Sequence, residues 1–267
     1  MTITREPVEL SVAIADLYEM FARYPLPNDT RPDGICAGSE DDARLRSKPL
    51  RRLSWEDFGV YPIYAARHWG DRDTLRHFIP RMLELTASPL GWQSDELYPD
   101  SFFLYFSTLE WRNWTLDEQL AVEEFVRSLW FNVVQRTEYR MCGVRVTDWL
   151  TGLFYAVADM SMYIQVWQSN PSTAAALAVA EIIAERPSLV DSFEADEHWF
   201  PWEDSFLQLG RWLRSASARS MLSTLGGLGR DTCEMGTFDQ ALALLELHPL
   251  PQQMLFDSDC FLRASTL

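Results

Sequence analysis

Histidines, cysteines and a surplus of carboxylates are the residues whose types could carry chemistry in this chain. The four histidines, His68, His77, His198 and His248, form no H-E-x-x-H pattern and no i,i+4 pair. That spacing is what brings two ring nitrogens onto one helix face, so no metal site is expected. His68, Asp71, Asp73 and His77 do cluster around one expected interhelical turn as mixed nitrogen and oxygen donors. Helix caps and half-buried rings account for the same residues more simply. The cysteines, Cys36, Cys142, Cys233 and Cys260, lie far apart with no C-x-x-C pair, which reads as reduced thiols in the cytoplasm. Cys142, between Met141 and Gly143 and near Arg140 and Arg145, could be a nucleophile if those charges lowered its pKa, but a buried inert thiol is the simpler reading. No G-x-S-x-G is present, and Gly226 to Gly229 lacks the Lys-Ser/Thr ending of a phosphate loop, so a helix-terminating turn is expected there.

Two constellations are more pointed. Tyr155, Asp159 and Tyr163 fall at i, i+4 and i+8 of an expected apolar helix, where one carboxylate between two phenols could line a polar cleft and serve as a general acid or base. The alternative is an internal strut in which Asp159 pairs with an arginine of another helix. Asp191 to Asp204 sets six acids around Phe193, Trp199, Phe200 and Trp202. Aromatic anchors ringed by carboxylates suit an interface for a basic protein, with Glu194, Asp196, Glu197, Trp199, Phe200, Trp202, Glu203 and Asp204 as the contact residues. An ordinary loop whose rings tuck inward would have the same composition.

Charge supports the first of these two readings. The chain has 267 residues, with 39 Asp and Glu against 23 Lys and Arg, a net −16, and Lys48 is its only lysine. Such a surface repels nucleic-acid phosphates and anionic lipid and attracts basic proteins. The excess is uneven: −2 over residues 1–90, −6 over 91–160 and −8 over 161–267. Neither a secretory segment nor an apolar run long enough for a membrane helix is found, so a soluble cytoplasmic protein is expected.

Helical periodicity accounts for nearly all of the apolar residues. Leu10, Ile14, Leu17, Met20 and Phe21 form a first stripe, stopped by Pro25 and Pro27. A loop-rich stretch over 25–53 holds one short helix near 40–46. Ser54 with Asp57 opens a helix expected to run to Trp69, with Pro62 bending or delaying it. Asp71 or Asp73 caps the next, which buries Leu75, Phe78, Ile79, Met82, Leu83 and Leu85. Thr115 with Glu118 makes a capping box ahead of a helix burying Leu116, Leu120, Val122, Phe125, Val126, Leu129 and Val133, with Glu123 and Arg127 paired on its wet face. Trp149, Leu153, Val157, Met160, Ile164 and Trp167 predict one long central helix. Asn170 with Pro171 starts another, ended by Pro187. Helices over 203–225 and 237–247 complete an all-α chain. The fold class expected is a multi-helix bundle or a degenerate HEAT-like stack of antiparallel helix pairs, in a single helical domain over 1–267 with subregions 1–90 and 91–267 distinguished by charge.

The run Lys48-Pro49-Leu50-Arg51-Arg52-Leu53-Ser54-Trp55-Glu56-Asp57, followed by Tyr61, Ala65, Trp69-Gly70-Asp71, Arg76-His77-Phe78-Ile79-Pro80-Arg81 and Glu84-Leu85, resembles a family of uncharacterised bacterial helical proteins. Tyr24, Pro25 or Pro27 and Cys36 fit the pattern upstream, although that family often carries more than one cysteine in this loop. The likeness spans residues 20–130 and is clearest over 48–85. It implies an all-helical fold and, by analogy with small acidic helical members, an immunity-type role beside a bacterial toxin. The expected function is thus a non-enzymatic binder that neutralises a basic protein such as a toxin, with no cofactor and no catalytic residue. An enzyme with a cleft at Tyr155, Asp159 and Tyr163, aided by His68 or His77, competes with this, as does a HEAT-like adaptor.

Overall fold

A computed structural model describes residues 6–28, 30, 32–35, 37–65, 68–88, 98–137, 143–157, 159–169, 171–191, 203–226 and 232–247. Among them are fourteen α-helices and no strand; Pro32 and Trp69 form an isolated backbone bridge. The all-α expectation holds. Contacts divide the chain into two compact units, one of Val8–Asn132 with Glu138–Ala156, the other of Met1–Pro7, Val133–Thr137 and Val157–Leu267.

The N-terminal unit begins with α1 (Leu10–Phe21), which buries Ala13, Leu17 and Phe21, and α2 (Ser39–Arg46). Sequence periodicity predicts one helix from Ser54 to Trp69, whereas the structure has α3 (Trp55–Phe58) and α4 (Tyr61–Tyr64). Gly59 separates them at φ +51°, a conformation that terminates a helix and that other residues adopt only with strain. The cap ahead of α3 is reciprocal: Ser54 Oγ accepts from the Asp57 N–H, and the Asp57 carboxylate accepts from the Ser54 N–H. Asp71 caps α5 (Arg72–Thr86) by accepting from the Thr74 N–H and hydroxyl at 2.8 Å each. The expected face of α5 is buried at Leu75, Phe78, Ile79, Met82 and Leu83, with Leu85 half-buried. α5 packs against α1.

α6 (Pro99–Ser107) and α8 (Val146–Ala156) approach closely because Gly152 has no side chain: a Cβ there would lie 3.0 Å from the Pro99 carbonyl oxygen and 2.9 Å from Phe103. Between them in sequence runs α7 (Leu116–Gln135), whose last turn belongs to the other unit. Two expectations for α7 are corrected. Leu116 and Leu120 are exposed. Arg127 is buried and pairs with Glu124 rather than Glu123. The inward stripe instead runs through Glu118, Val122, Phe125, Val126 and Leu129, so the helix is rotated from the orientation its leucines suggest.

The C-terminal unit contains α9 (Ser161–Ser169), α10 (Thr173–Glu185), α11 (Ser188–Asp191), α12 (Glu203–Leu213), α13 (Ala216–Gly226) and α14 (Thr232–Leu247). The long helix predicted over 149–167 is therefore two helices, α8 and α9, although all six residues of its stripe are buried. α10 starts from Ser172 rather than Asn170: Ser172 Oγ accepts from the Ala175 N–H and donates to Gln135 Oε1. It packs on α13 and α14 through Ala175, Ala176, Leu177, Ala178, Val179, Ala180, Ile182 and Ile183. The alanines in this face let neighbouring helices approach, and the aliphatic residues supply the apolar area. The helix predicted over 203–225 is also divided, at Arg214–Ser215.

Candidate functional site

Four residues from three helix ends converge on one carboxylate in the N-terminal unit. Glu118, in the first turn of α7, has a side chain 0% exposed. Its Oε1 accepts from Arg23 Nη2 at 2.7 Å and from the Tyr24 hydroxyl at 2.5 Å, both just past α1, and its Oε2 accepts from the Thr115 N–H at 3.0 Å. From α5, Arg76 Nε lies 3.8 Å from the same carboxylate, and its guanidinium stands 5.2 Å from both the Tyr24 and Trp114 ring centres. Burial by itself would raise the Glu118 pKa; the hydrogen bonds from Tyr24, Arg23 and the Thr115 N–H, with the Arg76 charge, outweigh it and hold the carboxyl below its usual range. His77 Nδ1 lies 2.8 Å from the Tyr24 carbonyl oxygen, which assigns its proton to that nitrogen. Burial pushes the His77 pKa down, the bond to Tyr24 opposes this, and the Arg46 charge adds to it. Arg76 also pairs with Asp73 at 3.2 Å, so two guanidiniums face two carboxylates, and both Glu118 oxygens accept hydrogen bonds; the node acts as a clasp between α1, α5 and α7.

The segment from Lys48 to Leu85 is built into the same unit. The Lys48 ammonium donates to both Asp57 oxygens at 2.7 Å, and the Arg51 guanidinium lies 3.6 Å from the Tyr18 ring centre. Arg81 donates to the Leu53 carbonyl and to Glu84, whose carboxylate also accepts from the Tyr18 hydroxyl at 2.6 Å. Burial, then the bond to Glu84, pushes the Tyr18 hydroxyl pKa up. Trp69 Nε1 donates to the buried Thr30 hydroxyl, which donates onward to Asp42. Asp71, Asp73, His68 and His77 serve separate partners: Asp71 caps α5, Asp73 pairs with Arg76, His68 faces Asp33 at 3.0 Å, and His77 holds Tyr24. Among the described residues no three His, Cys, Asp or Glu side chains form a metal-holding group.

Tyr155, Asp159 and Tyr163 do not share a helix face. Tyr155 is on α8, Asp159 is exposed in the interruption after it, and Tyr163 is buried on α9. Asp159 Oδ1 accepts from the Ser161 N–H at 2.9 Å, a local bond that competes with helix continuation and starts α9. Burial and the Asp100 charge raise the Tyr155 pKa. Of the acidic-aromatic segment, Glu194, Asp196, Glu197, Trp199, Phe200 and Trp202 lie outside the described residues, as do Cys36, Cys142, His198 and His248. Glu203 opens α12, and Asp204 is exposed on it.

Ion pairs and exposed charges can be separated among the described residues. In the N-terminal unit Arg23, Arg44, Arg46, Lys48, Arg76, Arg81, Arg127 and Arg145 each pair with a carboxylate of the same unit. Exposed acids include Glu9, Asp16 and Glu19 at α1, Glu40 on α2 and Asp117 on α7, with Asp239 and Glu246 on α14; Arg51, Arg52, Arg72 and Arg112 are exposed bases of the N-terminal unit. No helix among the described residues is long and apolar enough to cross a membrane.

No family model matches the chain, and no curated protein or solved structure is significantly similar to it.

Proposed function

We propose that this chain is a non-enzymatic binding protein that captures, and thereby neutralises, a basic protein partner, in the manner of a bacterial immunity protein acting in the cytoplasm. The observation that supports this reading is the excess of 39 Asp and Glu over 23 Lys and Arg, with carboxylates of both units exposed to solvent at Glu9, Asp16, Glu19, Glu40, Asp117, Asp239 and Glu246. Such a field speeds encounter with a cationic protein and disfavours nucleic acid. The proposed contact segment is the acidic-aromatic stretch containing Glu194, Asp196, Glu197, Trp199, Phe200, Trp202, Glu203 and Asp204, where rings supply affinity and acids supply steering.

Coexpression with the product of an adjoining reading frame that encodes a basic domain tests the proposal. The pair is expected to copurify, with affinity falling steeply as salt is raised. Reversing Glu194, Asp196, Glu197, Glu203 and Asp204 to Lys is expected to abolish copurification while leaving thermal unfolding almost unchanged. Undiminished capture by that variant would remove the segment from the interface, and absence of capture by the wild-type chain would refute the function.

A further inference from the structure

We infer that the first two turns of α7 are a docking surface for a basic, amphipathic helix of another protein. Leu116 and Leu120 are 68% and 53% exposed, on a helix whose other large aliphatic residues, Val122, Val126, Leu129, Val133 and Val134, are buried. One turn apart, they stand within about 40° of each other around the helix axis, as a pair of apolar knobs on one face. Their outward orientation is fixed from the opposite side: Glu118 is locked inward by Arg23, Tyr24 and the Thr115 N–H, and Val122 and Phe125 follow it into the core.

Charge around the two leucines selects the occupant. Asp117 beside them is exposed and Glu123 is half-exposed. Nearby positive groups are already engaged: Arg127, next along this face, pairs with Glu124, and Arg23 at the helix start donates to Glu118 and Thr115. An anionic helix or lipid surface would be repelled by this rim. A second copy would bring the same acids against each other. A helix carrying leucine-like residues at i and i+4 and Lys or Arg on either flank matches both the apolar knobs and the carboxylates. The inference rests on the reading of the chain as a captor of basic proteins, and gives that reading a second surface, distinct in sequence from residues 194–204.

The test uses the full-length chain and a fluorescent synthetic helix of about five turns, Leu on one face and Lys/Arg on the other, with a companion peptide bearing Glu in place of Lys/Arg. Wild type is expected to bind the basic peptide and not the acidic one. L116S/L120S is expected to weaken binding about tenfold or more with unchanged helical circular dichroism, and D117K/E123K to weaken it and flatten its salt dependence. Equal binding by wild type and L116S/L120S would overturn the α7 site while leaving capture of a basic partner intact. Equal binding of the acidic peptide would overturn the charge argument, and self-association abolished by L116S/L120S in sedimentation would assign the face to a second copy instead. If the wild-type chain bound neither the basic peptide nor the neighbouring basic domain, the parent function would fall with it.

Discussion

Around Glu118 the N-terminal unit joins three helix ends through one buried carboxylate, whereas in the C-terminal unit α10 is held by alanine, valine, leucine and isoleucine against α13 and α14. The first arrangement is directional and depends on protonation. The second depends on excluded apolar area and close approach, and is indifferent to pH. Ion pairs contribute to the order of the N-terminal unit, while the acidic sign of its exterior comes from the excess of carboxylates over bases.

Variants in the two cores test this division. Ile182→Ala on α10 is expected to cost about 4 kcal/mol, measured by urea denaturation, with the same cost at pH 5 and pH 8. A cost that changed with pH would contradict an apolar account of α10. Glu118→Ala is expected to cost about 3 kcal/mol at pH 7, because the Tyr24 hydroxyl loses its acceptor and Arg76 loses a facing charge, while Arg23, half-exposed, regains water. Hydrogen exchange should then accelerate in α1 and α5 more than in α10.

Acidification sharpens the same comparison. Hydrogen bonds from Thr74 hold the Asp71 pKa low; at Asp57, burial acts in the raising direction and is outweighed by Lys48 and Ser54, as the clasp outweighs it at Glu118. Stability from groups depressed in this way is complete above their unfolded values near about pH 4 and is lost as pH falls through the folded ones. His77, depressed by burial, follows the same sign from about pH 6.5 downward. Protection of α5 amides should therefore decline in acid before that of α10 amides, and the penalty of Glu118→Ala should shrink. Parallel loss in both helices would refute the division.

Smaller effects come from packing contacts and from the one lysine. Gly210→Ala is expected to cost about 2 kcal/mol, because its Cβ would stand 2.5 Å from the Leu189 carbonyl oxygen, a backbone atom that cannot swing aside. An unchanged melting temperature would show that α11 and α12 separate freely. Lys48→Met is expected to cost about 1 kcal/mol or less, since the ammonium is half-exposed although its pairing with Asp57 is bidentate. A much larger loss would make this pair a structural partner of the Glu118 clasp.

Local signals were legible where the deciding interaction is local. The caps at Ser54 and Asp71, the stops at Pro25 and Pro187 and the buried face of α5 are set by neighbours within a turn or two, so spacing reveals them. The breaks at Gly59 and Asp159 were harder, because an apolar stripe continues across both and periodicity records burial without recording helix continuity. Glu118 read as a cap, and its Thr115 bond is one; nothing in the spacing joins it to Arg23 and Tyr24, some ninety residues earlier.

Composition and periodicity by themselves determined an all-α chain, its acidic sign and most helix starts, because hydrophobic spacing, capping and net charge are properties of short segments and of sums. Tertiary structure decided which face of α7 turns inward, how the chain divides into two units and which charges are consumed internally. Those outcomes depend on burial shared between distant segments. A carboxylate that finds two arginines and a phenol can enter a core, and the leucines beside it are turned out to water.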